Sequence, residues 1–88
     1  MAQHARHLKI LAVDFLKIDG MFVTGMNDSA VDQAMVQAFN WIGHVKGLKT
    51  IAEHVEDDAT LERLREIGVD YVQGYGIARP DLLDPRAR

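Results

Sequence analysis

Apolar and polar positions along the chain fall into three short strand-like stretches separated by two longer ones with helical spacing. AVDFLKID, from Ala12 to Asp19, is rich in β-compatible apolar residues and stops at Gly20. In NDSAVDQAMVQAFNWIGHVKG, the residues Val31, Ala34, Met35, Ala38, Ile42 and Val45 follow an i, i+3, i+4, i+7 rhythm, which predicts a helix with those side chains as its stripe. Asn27 or Asp28 supplies its N-cap, and Lys46 with Gly47 its stop. LKTIAEHV then reads as a second strand. DDATLERLREIG reads as a helix capped by Asp57 or Asp58, lined inside by Leu61, Leu64 and Ile67 and ended by Gly68. A third strand is YVQGY, Tyr71 to Tyr75, and the closing ARPDLLDPRAR, with two prolines, reads as a terminal connection whose residues 81–88 form a frayed tail.

Strands separated by helical crossovers run parallel and connect right-handedly. The expected class is therefore α/β, a parallel β-α-β-α-β segment. Such a sheet needs cover on both faces, and two helices cover only one. The pattern thus fits part of a larger object: a segment of an open doubly wound sheet, or of a closed (β/α)8 barrel of roughly 250 residues.

Composition narrows the class without changing it. Apolar residues make up 48% and charged residues 26% of the 88 residues, as in soluble globular chains. The absence of cysteine excludes disulfides and thiolate-bound zinc and fits a cytoplasmic setting. No apolar run reaches membrane-spanning length, and the start has no secretory signal pattern. A net charge of −3 is a poor match for a nucleic-acid polymer, whose binding depends on Lys and Arg neutralising phosphates; a small anion held locally remains compatible.

Candidate chemistry follows from strand alternation. Val13, Phe15, Lys17 and Asp19 share one face while Leu16 and Ile18 take the helix-covered side. Ile51 and Glu53 oppose Ala52, and Tyr71, Gln73 and Tyr75 oppose Val72 and Gly74. Each strand then ends in polar groups aimed at one place, with neighbouring strands about 4.8 Å apart, so Lys17 and Glu53 come within reach of each other or of a shared ligand. Ligands sit at the carboxyl ends of such strands. An inward Lys-Glu ion pair that only fills a barrel mouth would produce the same alternation.

Three motifs carry a resemblance: VDFLKIDGMFV (Val13 to Val23), IAEHVE (Ile51 to Glu56) and LREIGVDYVQGYGIARP (Leu64 to Pro80), in that order and at that spacing. Together they resemble the carboxyl-terminal part of the EAL domain family, phosphodiesterases that hydrolyse bacterial cyclic di-GMP. The resemblance covers the chain from about His7 onward and implies the last three β/α units of a TIM-like barrel, with residues 1–88 a partial EAL domain acting in signal transduction. It implies that Glu53 binds a metal or acts as base on the attacking water, that Lys17 orients that water and meets developing charge, and that Gln73 contacts the substrate. Glu56 would support the metal loop, and Asp19 would be structural. The implied cofactor is Mg2+ or Mn2+, since hard cations favour carboxylate and amide oxygens and a metal pair can both deprotonate water and stabilise phosphoryl charge.

Two departures qualify the match. The family's Glu-Ala-Leu motif, its metal-binding asparagine and glutamate and its paired aspartates belong upstream and do not occur in these 88 residues, so the isolated chain is expected to be inactive. His54 stands where the family usually has glycine, and its ring could narrow the site or add a contact. Cyclic di-GMP is the expected ligand, and an upstream half-barrel, or a second copy meeting the open strand edges, the expected macromolecular partner. A non-catalytic module acting by ligand binding, partner binding or self-association is the alternative.

Other residues carry less. His4 and His7 have metal-ligand spacing but lie in a terminal segment. Phe39 and Trp41, partly outside the helix stripe, read as packing residues or a subunit contact, and the methionines as apolar filling.

Overall fold

A computed structural model of the protein describes residues 14–74 and 77–83. Ala12 and Val13, His4 and His7, Tyr75, Gly76 and the tail 84–88 lie outside the described residues. The elements are β1 (Phe15–Ile18), α1 (Gly20–Gly25), α2 (Ala30–Val45), β2 (Lys49–Ala52), α3 (Asp58–Ile67), β3 (Tyr71–Gly74) and β4 (Ile77–Leu82). They form one sheet in the order β1-β2-β3-β4; β1, β2 and β3 are mutually parallel and β4 is antiparallel to β3. The α/β class and the three parallel strands agree with the sequence pattern.

Residues 78–83 do not. The sequence reads them as a terminal connection and as the start of a frayed tail, yet Ile77–Leu82 pairs with β3 and Leu83 is buried, its N–H donating to the Asp70 carbonyl at 2.7 Å. Pro80 misled the reading, because proline is tolerated on an edge strand, where its missing N–H breaks no ladder. A second omission is α1. Its GMFVTG sequence carries two glycines and β-branched residues, so propensity argues against a helix. Asp19 nevertheless caps it, accepting from the Met21 N–H at 2.9 Å, and burial of Val23 and Met26 holds it in place.

The core lies between the sheet and its helices: Ile18, Ala52 and Val72 from the strands meet Val36 of α2 and Leu64 of α3, with Val23, Met26, Val55 and Val69 closing the ends. The α2 stripe expected from periodicity is wrong. Val31, Trp41 and Val45 are exposed, as are Ala34, Ala38 and Ile42, while Val36, Asn40 and Gly43 are buried and Phe39 half-buried. The buried set has the same i, i+3, i+4, i+7 spacing but includes one amide and one glycine, so its hydrophobicity is lower than that of the exposed set. Gly43 is needed there because a side chain would lie 2.7 Å from the Thr50 methyl. Phe39 packs on Phe22 of α1, ring centres 5.4 Å apart, in keeping with a packing role; Trp41 points outward. The cap of α2 is Ser29, which accepts from Asp32 N–H at 3.2 Å, rather than Asn27 or Asp28.

Asn40 can be buried because both ends of its amide are hydrogen-bonded. Its carbonyl accepts from the Thr50 hydroxyl at 2.6 Å and its amide donates to Ile67 O at 3.2 Å. Asp70 extends the network, accepting from the Thr50 N–H at 2.9 Å and contacting His44 Nε2 at 2.7 Å, while its own N–H donates to the Thr50 hydroxyl. The cluster ties α2, β2 and the entry to β3 at the amino end of the strands, where stability rather than chemistry is the usual role.

Partial burial pushes the Asp70 carboxyl up, but the Thr50 N–H bond and the His44 contacts outweigh it and hold the carboxyl below its ordinary 3.8. A depressed carboxylate contributes stability that is present above 3.8 and lost as pH falls through the folded value. Acid titration followed by circular dichroism should therefore show stability falling below that pH, and Asp70→Asn should be less stable at neutral pH and less acid-sensitive. An unchanged acid slope in the variant would contradict the assignment.

Candidate functional site at the carboxyl rim

The carboxyl ends of β1, β2 and β3 meet at one rim, and pairing continues past the last strand residue of β2. Glu53 N–H donates to the Ile18 carbonyl of β1 at 3.2 Å, and Val55 N–H donates to the Gln73 carbonyl of β3 at 3.0 Å. The Glu53–Val55 segment is thus stitched to both neighbours before the chain turns into α3. Asp57 then caps α3 through the Thr60 N–H at 2.7 Å, and this bond holds its carboxyl below the ordinary value.

Two glycines bracket this segment. At Gly74, with φ 119°, a side chain would lie 2.7 Å from Val55 N and 2.8 Å from Val55 O. At Gly20 a side chain would run into the His54 ring, 2.5 Å from Cγ and 2.8 Å from Cβ. His54 itself has φ 61° and is the one non-glycine with positive φ among the described residues. That conformation explains why glycine is the unstrained choice at this position.

A cleft of about 310 Å³ opens beside the segment, lined by Glu53, His54, Glu56, Gln73 and Gly74. The structure therefore brings together three of the sequence-derived site residues, Glu53, Glu56 and Gln73. Lys17 and Asp19 stand apart from its lining. The register sets Lys17 opposite Ile51, one pleat short of Glu53, and Lys17 makes no ion pair within 4.0 Å among the described residues. Of the two arrangements the alternation allowed, contact with each other or reach to a shared ligand, the direct ion pair is not formed: parallel register staggers the two groups along the strands rather than setting them side by side. Asp19 is occupied as the α1 cap.

The face below the rim is sealed in part by Phe15 and Tyr71, which meet edge to face at 5.6 Å from strands on either side of β2; Ile51, on the strand between them, is 2% exposed. The donor set has oxygen ligands of the kind a hard cation takes, in Glu53, Glu56 and Gln73. It is incomplete as a metal site: among the described residues no group of three His, Cys, Asp or Glu side chains is arranged to hold an ion.

A cleft at the carboxyl rim of parallel β/α units stands where both barrels and open sheets of the α/β class place their sites. The family model described as the EAL domain matches residues 2–80, and the chain belongs to the EAL domain family. Among curated relatives, it is 43% identical over 77 residues to the cyclic di-GMP phosphodiesterase PdeB of Shewanella oneidensis, covering 88% of this chain and 9% of that protein. To PdeF of Escherichia coli it is 35% identical over 82 residues, covering 93% and 11%. Among solved structures, the MucR phosphodiesterase in complex with c-di-GMP matches with a TM-score of 0.70 at 36% identity, over 76% of this chain and 27% of that one. An EAL domain protein of Listeria monocytogenes matches with 0.68 at 35%, over 90% and 32%. The chain spans about a tenth of the curated relatives and less than a third of either solved chain. No helix among the described residues is long and apolar enough to cross a membrane.

Sequence reasoning found the carboxylates and Gln73 but missed the two glycines that shape their surroundings. The signal for Gly74 was present, since a glycine inside a strand pattern marks close backbone approach. Gly74→Ala should cost at least about 2 kcal/mol, from the disfavoured φ and from overpacking against the backbone of Val55. Chemical denaturation checks this; a loss below about 0.5 kcal/mol would mean that the loop moves aside freely.

Proposed function

We propose that this chain is the carboxyl-terminal portion of a metal-dependent phosphodiesterase barrel that opens cyclic di-GMP to a linear dinucleotide, and that it has no turnover alone. The observation carrying the proposal is the cleft itself: Glu53, Glu56 and Gln73 converge at the carboxyl rim of parallel strands in a member of the EAL family. The names of its curated relatives and the c-di-GMP complex of MucR support the substrate.

In this reading Glu53 holds a cation or takes the proton of the attacking water, and Glu56 supports the loop. Gln73 presents its amide to the substrate. Lys17, a pleat lower on β1, contributes positive charge near the phosphoryl group. Asp19 keeps β1 and α1 in register. Mg2+ or Mn2+ would supply Lewis acidity for the phosphodiester. Glu53 and Glu56 account for only part of its ligands, so the others come from the part of the barrel that the relatives contain and this chain does not. The setting is cytoplasmic signalling.

The alternative is a non-catalytic module that binds a partner or itself. It draws support from the outer edge of β1, which no strand pairs among the described residues, and from the exposed Val31, Trp41 and Val45 of α2.

Hydrolysis assays with Mg2+ and with Mn2+ separate the two. The 88-residue chain alone should leave cyclic di-GMP intact, whereas a chimera carrying it behind the upstream barrel of PdeB should hydrolyse it. Glu53→Gln in the chimera should reduce kcat by about 100-fold or more. Turnover by the isolated chain that disappears in Glu53→Ala would overturn the inactivity, and a folded but inert chimera would favour the binding module.

A further inference from the structure

We propose that His54 is a latch joining the turn after β1 to the carboxylate segment after β2, holding the rim of the cleft in one arrangement. Three observations carry this. The His54 backbone sits in the left-handed region at φ 61°, a conformation that a non-glycine residue adopts only when its surroundings impose it. Its side chain occupies the space that a β-carbon on Gly20 would need. And Val55, which follows it in the chain, is held from the other side, by its bond to the Gln73 carbonyl and by the bare face of Gly74.

Gly20 has no positive φ, so its backbone would accept alanine, and alanine is the better helix residue at the start of α1. The reason for glycine is therefore room for the imidazole. Rotating the ring about χ1 would clear Cγ and the ring atoms but not Cβ, which is fixed to the left-handed backbone at 2.8 Å from the added carbon. Gly20 and His54 form a size-matched pair: a glycine at 54 would leave the Glu53–Ile18 hydrogen bond to tie the loop to the end of β1 without side-chain packing against the turn.

The consequence reaches the cleft because Glu53 precedes His54 and Glu56 follows it by two residues. With the latch closed, Asp19 and Gly20 of the first motif and Glu53 to Glu56 of the second move as one body. Only its bearing on ligand rests on the phosphodiesterase reading; the latch itself is a property of the chain without ligand.

The test is a double-substitution cycle in the 88-residue chain, read by thermal melting and amide hydrogen exchange with no nucleotide or metal present. Gly20→Ala alone should lower Tm by about 5 °C or more. In the His54→Gly background the same change should leave Tm unchanged or raise it, because the clash is gone and the helix preference remains. His54→Gly alone should speed exchange at Met21–Val23 and at Val55–Glu56 by about tenfold, against unchanged rates at Asp70–Val72 beyond the latch. If Gly20→Ala fails to fold, recovery of a cooperative melt in the double variant supports the latch and continued failure overturns it. Equal Tm losses in both backgrounds, or exchange unchanged by His54→Gly, would also overturn it. Since no outcome involves cyclic di-GMP, loss of the substrate assignment would leave the result standing.

Discussion

Everything at the functional rim depends on how the Glu53–Val55 segment is held between its two neighbours. Strand β2 ends by formal pairing at Ala52, yet its chain continues to exchange hydrogen bonds, first with Ile18 on one side and then with Gln73 on the other. A segment bonded on both sides cannot tolerate side chains where the neighbours press closest, and the neighbours there are Gly20 and Gly74. Backbone hydrogen bonding, left-handed geometry at His54 and two missing β-carbons are one constraint seen from different atoms. It fixes where Glu53 leaves the sheet, and with it the geometry of the cleft.

The opposite end of the same strands is built on other physics. There Asn40, Thr50, Asp70 and His44 satisfy one another, and the buried members are polar groups with partners rather than groups awaiting a ligand. Low local dielectric makes such a network costly to break, and it ties α2 to β2 and to the entry of β3. The molecule thus separates its two demands along the strand axis. Polar groups at the amino end are consumed by structure, while Glu53 and Glu56 at the carboxyl end line open space.

How much of this was legible in the sequence differs by residue. The parallel strands, a cap at Asp57 or Asp58 and Gly68 as a stop were readable because each follows from a local rule with few competitors, crossover length, side-chain capping and a left-handed glycine, and Asp57 is the cap that forms. The rim position of Glu53 and Gln73 followed from alternation. The α2 face was not readable, because counting apolar residues rewards Val31, Ala38 and Val45 and assigns no value to Asn40 or Gly43. Their burial depends on Thr50 and Ile67, which lie elsewhere in the chain. The stagger of Lys17 against Glu53 was equally out of reach: it is a property of register, and periodicity within one strand says nothing about the offset to the next. Strand β4 was lost to Pro80, a residue that signals a break unless one already knows that the strand lies at an edge.

The error at α2 also has a physical meaning. In a barrel each helix touches the strands beneath it and a helix on either flank, so apolar residues are needed over more than one face. The buried face of α2 is set against the sheet by Val36 and Gly43, and one flank is joined to the end of α3 through Asn40. The apolar residues left over, Val31, Trp41 and Val45, belong to neither contact. A hydropathy count sums the faces and cannot apportion them, which is why the strongest stripe pointed away from the sheet. A helix whose outward face is more apolar than its inward one fits an architecture in which each helix packs on flanking helices as well as on the strands beneath it.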